Sequence, residues 1–355
     1  MGTVFTSLHL QHFRSYVDST FEFNKGVNII VGPNASGKTN LLEGLLMVAR
    51  GGSYRGRDVE MISFEAPWAR LQAETSQGAR IVKIQREAQD RSSKTFVIDE
   101  QSLSRITLQR GVPIVLFEPN DLQLLTGSPE LRRLFLDDLI EQTIPHFGAL
   151  RRHYKRVVTQ RNTLLKKQPR DIAEQLFVWN IRLSELGGQI ARERIELIGQ
   201  LNAQISELYD TIAAGGQTIE LTYTTQFPYD NYETALLHKL ELSTEIDVLR
   251  GFTAYGPHRD DLGVLIDNRK ADVVASRGET RTLVLALKIL ELQLLEKLRG
   301  ERPLLLLDDV FSELDSKRRQ ALTGFVSSYQ TFLTTTDADI ILQHFADSSV
   351  IRVAN

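Results

Sequence analysis

Lys38 and Thr39 end the octet Gly32-Pro33-Asn34-Ala35-Ser36-Gly37-Lys38-Thr39, with Asn40 directly behind. A G-x-x-x-x-G-K-T spacing suits one ligand class, a nucleoside triphosphate. Gly32 and Gly37 carry no Cβ, so backbone N–H groups can turn inward around a phosphate. Lys38 can reach the β- and γ-phosphates as a point charge, and Thr39 offers a hydroxyl to Mg²⁺. Two carboxylates belong to the same chemistry. Asp308 and Asp309 close the run Pro303-Leu304-Leu305-Leu306-Leu307-Asp308-Asp309. Asp308 suits the Mg²⁺ shell, while Asp309 suits the polarising of an attacking water. Lys38 and Asp309 are the expected catalytic pair.

Two further sets carry charge or capping chemistry. Ser276-Arg277-Gly278-Glu279 opens a predicted helix, and a hydroxyl with a glycine at a helix N-terminus can cap a γ-phosphate. Serine and glycine precede many helices, so this signal gains weight only beside the others. Residues 151–170 hold eight Lys/Arg and no acid in twenty positions. At helical spacing Arg151 shares a face with Lys155, and Arg152 with Arg156. With Arg161, Lys166 and Lys167 they form a stripe able to displace counterions from a DNA backbone, by shape rather than by base readout. The alternative is a solvated face paired with Glu174, Glu185, Glu193 and Glu196 of the following helix. His258, in a Gly-Pro-His-Arg-Asp-Asp turn, suits a hydrogen-bonding structural role better than a catalytic one.

The elements that must hold these groups follow from the apolar pattern. Val27–Val31 reads as a strand, and Leu41, Leu42, Leu45, Leu46 and Met47 as the helix after the loop, whose positive end faces the anion. Leu304–Leu307 predicts a buried parallel strand delivering Asp308 and Asp309 at its C-terminal edge. Short strands are also expected over 4–10, 16–23, 71–75, 79–86, 94–98 and 112–117. From Glu130 to about Ile212 the period turns helical, with Leu176, Leu183, Ile190 and Leu197 seven apart. A helix over 172–212 would be roughly 60 Å long, and an antiparallel hairpin is its simplest packing, with Gly187-Gly188 as a candidate break. Strands resume over 218–225, 262–266, 331–334 and 350–353, with helices over 231–249, 278–299 and 316–328. The expected fold is α/β: a discontinuous nucleotide-binding domain over 1–125 and 217–355, interrupted by an α-helical hairpin lobe over 126–216.

Composition narrows the class. The chain has 355 residues, 42% hydrophobic and 25% charged, as expected of a globular protein with a sizeable core. It has no cysteine, which excludes disulfides, thiol nucleophiles and cysteine-ligated zinc. No apolar run reaches the roughly 20 residues of a membrane span, and no signal-peptide pattern opens the sequence. A cytoplasmic protein is expected. The net charge of −3 does not itself point to nucleic acid.

Taken in order, the phosphate loop, Ser276-x-Gly278-Glu279, the leucine run with its two acids, and Ser312-Glu313-Leu314-Asp315 resemble the ABC-type ATPase head. In that fold the S-x-G-E segment of one subunit covers ATP held by the phosphate loop of another, which implies an ATP-dependent homodimer. Further strings are more specific: Phe117-Glu118-Pro119-Asn120-Asp121-Leu122, Gly127-Ser128-Pro129-Glu130, Arg132-Arg133-x-Phe135-Leu136-Asp137, Gly256-Pro257-His258-Arg259-Asp260-Asp261-Leu262 and Phe13-Arg14-Ser15-Tyr16. With them the chain resembles the RecF family of SMC-like heads over nearly its whole length. That resemblance implies an ATP- and Mg²⁺-dependent DNA-binding factor of recombinational repair and replication-fork maintenance. It would act with RecO and RecR at gaps or single-strand/duplex junctions, within the DNA-damage and SOS response. By position, Arg14 would lie near the nucleotide, Arg55 near phosphate or DNA, and Asp121 where relatives carry a Gln-loop. The sequence has no glutamine there, and Thr334-Thr335-Thr336-Asp337 stands where transporters carry a switch histidine. Weak DNA-stimulated ATPase activity is therefore expected, with ATP acting mainly as a clamp. The rival reading, the nucleotide-binding subunit of an ABC transporter, sits poorly with those absences and with the basic insert.

Overall fold

The computed structural model describes residues 2–337, 342–343, 345 and 348–353, except the side chain of Asp90. The chain divides into two compact units, residues 1–122 with 284–355, and residues 123–283. The second unit therefore begins close to the expected boundary but reaches Leu283, well past 216.

In the first unit, five parallel strands run in the order Ser349–Arg352, Val27–Val31, Thr331–Thr335, Leu304–Leu307, Ile114–Phe117. Strands covered on both faces need continuous apolar runs, and Leu304–Leu307 is buried at every position. A second, six-stranded sheet is antiparallel and carries Phe5–Phe13, Tyr16–Glu22 and the hairpins from Trp68 to Leu103. The helix Lys38–Arg50 fills the core of this unit, with ten of its 13 residues buried. Gly44 permits that approach, because a Cβ there would lie 3.1 Å from Leu10 and 3.3 Å from Leu8. Gly51 ends the helix in the left-handed conformation at φ 82°, its N–H returning to Met47 O.

The second unit is more than a hairpin. Its helices span Pro129–Thr143, Phe147–Lys167, Ile172–Ala213, Tyr232–Leu242 and Thr244–Arg250. Ile219–Thr224 and Asp261–Ile266 pair antiparallel in a separate three-stranded sheet, so these strands do not rejoin the first unit. The two long helices are antiparallel, as expected: Arg161 meets Asn180 and Tyr154 meets Gly187. The Ile172–Ala213 helix runs unbroken for 42 residues through Gly187-Gly188. Those glycines serve close packing instead, since a Cβ on Gly187 would lie 3.0 Å from Leu236 and 3.2 Å from Pro257.

The two unusual strings of this unit bind each other. Arg132 makes a two-pronged contact with Asp261 at 2.8 and 2.7 Å, and Arg133 donates to Asp260 O at 2.8 Å. Asp137 accepts from the buried Arg194 at 2.8 and 2.9 Å, while Arg194 also donates to Pro257 O at 2.6 Å. His258 lies inside this network. Its Nε2 sits 3.1 Å from Thr253 O, which can only accept, so Nε2 carries the proton and Nδ1 accepts from the Tyr154 hydroxyl at 2.6 Å. Burial pushes its pKa down to about 4, keeping the ring neutral. His258 is thus structural.

Candidate nucleotide site

The phosphate loop joins the Val27–Val31 strand to the Lys38–Arg50 helix. Ala35 (φ 64°) and Gly37 (φ 101°) take left-handed backbone, the alternation that turns successive N–H groups toward an anion. Among the described residues no side chain caps the helix at Gly37, which leaves its first-turn donors to a ligand. Gly37 has a second constraint: a Cβ there would lie 2.9 Å from the Tyr16 hydroxyl, which donates to Gly37 O at 3.0 Å. Ser36 Oγ is buried with no hydrogen-bond partner among the described residues. An orphaned hydroxyl costs free energy inside a protein, and a phosphate oxygen would satisfy it. Lys38 is 5% exposed, and its Nζ donates to the carbonyls of Gly32 and Pro33 at 3.0 Å each.

The acids arrive by sheet order. The Thr331–Thr335 strand lies between the strand that leads into the phosphate loop and the strand that ends at Asp308. Thr334 Oγ1 therefore bridges the two edges, donating to Asp308 Oδ1 at 2.8 Å and accepting from Asp309 N at 2.8 Å. Thr39 Oγ1 donates to the same Asp308 oxygen at 3.0 Å. A hydroxyl and a carboxylate meeting at the loop make a pair of hard oxygen donors, which suits Mg²⁺. Asp309 sits in left-handed backbone at φ 52°, with its carboxyl pKa raised by burial and by Asp308 and Glu313 against the pull of Lys38.

Several residues here escape motif reading. The Tyr54 hydroxyl lies 3.5 Å from Asp308 Oδ2. Glu118 follows the Ile114–Phe117 strand, and its carboxyl is pushed up by burial and by Asp121 and Asp308, with Lys288 opposing. Asp121 is occupied elsewhere: its Oδ2 accepts from Glu118 N at 2.8 Å and lies 3.4 Å from Lys288. Glu118 directly follows Phe117, whose carbonyl accepts from Asp308 N at 2.9 Å. Its signal was an acid directly after an apolar strand. Arg14 is gripped by the buried Glu43, and Arg55 is exposed.

Ser276 and Glu279 cap their own helix reciprocally, Ser276 N donating to Glu279 Oε2 at 2.8 Å and Glu279 N to Ser276 Oγ at 3.3 Å. Gln217 adds a 2.8 Å bond, and these contacts hold the Glu279 carboxyl below its usual range. Asp315 caps the Ser316–Val326 helix by accepting from Arg318 N at 3.0 Å.

The basic stripe divides. Arg161 is 0% exposed and donates to Asp247 at 2.7 Å, Asn180 at 2.8 Å and Thr253 at 2.9 Å. It cannot touch DNA, because the same apolar spacing that buries Tyr154, Val157 and Leu165 turns it inward. Arg151 is tied to Asp137 at 3.1 Å and Glu141 at 3.0 Å. These acids come from the preceding helix, not from Glu174, Glu185, Glu193 or Glu196. Arg152, Lys155, Arg156, Lys166 and Lys167 are exposed.

The family model described as RecF/RecN/SMC N terminal domain matches residues 4–354. RecF of Heliobacterium modesticaldum is 34% identical over 340 residues, covering 93% of this chain and 91% of its own. RecF of a Synechococcus strain is 36% identical over 342 residues, covering 93% and 90%. The chain belongs to the RecF family. Those relatives are DNA replication and repair proteins by name. A solved RecF–ATP structure superposes with a TM-score of 0.85 at 25% identity over 99% of this chain and 96% of that one. A RecF–ATPrS structure gives the same score at 27% identity, over 95% and 93%. An SMC head (TM-score 0.55, 16% identity, 99% and 94% covered) shares the fold. The expected α/β head of the ABC and SMC type is thus the fold of this RecF-family chain, and the transporter reading finds no support. No helix among the described residues is long and apolar enough to cross a membrane.

Proposed function

We propose that this chain is an ATP-gated DNA-binding dimer of recombinational repair, cytoplasmic, with slow ATP hydrolysis. The observation that carries the nucleotide reading is the meeting of Thr39, Thr334, Asp308 and Asp309 beside a phosphate loop whose Ser36 hydroxyl has no partner among the described residues. The loop residues Gly32 to Asn40 hold the triphosphate, and Arg14 adds a cation near it. Thr39 and Asp308 hold Mg²⁺, which supplies charge neutralisation at the phosphates. Asp309, with its raised pKa, orients or deprotonates water. Ser276, Gly278 and Glu279 of a second copy cover the nucleotide.

Relatives described as acting in the RecFOR pathway support DNA, RecO and RecR as partners, at gaps or single-strand/duplex junctions. Arg152, Lys155, Arg156, Lys166 and Lys167 supply the phosphate contacts, with Arg151 partly engaged. Light scattering tests this directly: ATP with Mg²⁺ doubles the mass of the wild-type chain, and Lys38→Ala stays monomeric. An unchanged wild-type mass removes the nucleotide-gated dimer.

A further inference from the structure

Glu43 is fully buried on the phosphate-loop helix, five residues beyond Lys38, and the site chemistry above does not use it. Among the described residues its carboxylate has two partners, from two separate segments. Arg14 approaches from the turn after the first strand, with Nε 2.9 Å from Oε2 and Nη2 3.1 Å from Oε1. The Ser53 hydroxyl, from the loop after the helix, donates to Oε1, and Ser53 Oγ in turn accepts from Arg55 N at 3.0 Å. One buried charge thus latches the two segments that flank the phosphate loop to the helix that begins with Lys38. The next residue along that second segment is Tyr54, whose hydroxyl faces Asp308.

The contact also sets which edge of Arg14 is free. Glu43 takes Nε and Nη2, leaving Nη1 without an acceptor among the described residues. Arg14 lines an open basin of about 580 Å³ with Ser15, Asn40, Arg57, Glu60 and Arg86, in which Glu60 is taken by Arg57 at 2.9 Å. Its backbone is pinned as well: Arg14 N donates to Met61 O at 2.8 Å, and Arg14 O accepts from Ser63 Oγ at 2.8 Å. A guanidinium fixed at both its backbone and its inner edge presents its outer edge in one orientation, which suits an anion.

We infer that Glu43 is a positioning residue for nucleotide binding, acting through Arg14 and the Ser53–Arg55 loop. This rests on the nucleotide reading above. The test is titration of the full-length chain with a fluorescent N-methylanthraniloyl ATP in Mg²⁺. Glu43→Gln and Arg14→Ala each weaken binding roughly tenfold, as expected for loss of an oriented charge-assisted contact. The double variant binds no more weakly than Arg14→Ala alone, since both changes remove one device. Binding by Glu43→Gln within about twofold of wild type, or losses that multiply in the double variant, overturns the inference. Should Glu43→Gln fail to fold, Arg14→Lys keeps the charge but loses the fork; a roughly tenfold loss then supports the inference and wild-type affinity overturns it. Lys38→Ala separates the two failures: if it binds as wild type the nucleotide reading itself falls, and if it alone loses binding only the role of Glu43 does.

Discussion

Thr39 Oγ1 lies 3.0 Å from Asp308 Oδ1, joining two residues 269 positions apart at the mouth of the phosphate loop. If that pair holds Mg²⁺, nucleotide affinity depends on the metal through these oxygens. Chelation with EDTA should weaken ATP binding by wild type at least about tenfold, or about 1.4 kcal/mol. Asp308→Ala should show weak binding that EDTA does not weaken further. Calorimetric titration with and without Mg²⁺ checks both, and retained metal dependence in Asp308→Ala places the cation elsewhere.

Asp309 differs in kind from Asp308. It sits in left-handed backbone, and its raised pKa reflects burial more than partnership. Asp309→Asn should keep ATP affinity within about threefold while lowering turnover by 10²-fold or more, the usual range for a positioned acid or base. The variant should then persist as a dimer once ATP is added. A variant that turns over ATP as wild type does would remove Asp309 from the chemistry.

Much of this site was legible because its parts are local patterns. Glycine spacing, four leucines and two acids each declare themselves within eight residues, and the strand–loop–helix frame follows from hydrophobic period. What could not be read depends on sheet order. Thr334 joins the site because its strand lies between the phosphate-loop strand and the Asp308 strand, a pairing no local window encodes. Glu43 carries no local signal, because only packing shows its helix buried on nearly every side. The reach of the second unit to Leu283 is hidden from local reading for a related reason. Strands after Gly216 suggested a return to the first domain, whereas Ile219–Thr224 pairs with Asp261–Ile266 in a sheet of its own. Charge counting likewise treated Arg161 as one of eight cations, and only packing shows it turned inward.

That division of the stripe gives opposite expectations for neighbouring arginines. Changing Arg152, Lys155, Arg156, Lys166 and Lys167 to glutamate should leave the melting temperature nearly unchanged and weaken DNA binding. The log–log salt slope on duplex DNA should fall by about 4.5, roughly 0.9 for each of the five lost phosphate contacts. Arg161→Met should do the reverse. Removing one partner of a buried pair strands Asp247 and costs roughly 3–5 kcal/mol, with DNA affinity of the folded fraction unchanged. Filter binding over a salt series, beside denaturant unfolding, separates the two. Strong DNA loss on Arg161→Met in a folded protein would contradict this assignment.

His258 gives a pH signature that nucleotide chemistry does not share. Its folded pKa is near 4, set chiefly by burial, against about 6.5 for an unfolded histidine. Above 6.5 neither state is protonated at this ring, so it contributes no slope. Between 6.5 and 4 the unfolded chain takes up a proton that the native ring refuses, and stability falls as the solution is acidified. The full window corresponds to roughly 3 kcal/mol. His258→Gln should be less stable at pH 7.5, because the Tyr154 and Thr253 contacts loosen, but it should lose this part of the slope. Urea unfolding of both proteins at intervals from pH 7.5 to 4.5 reads the difference. Parallel curves would mean that the ring is protonated in the native protein, and the Nε2–H assignment would no longer explain its neutrality.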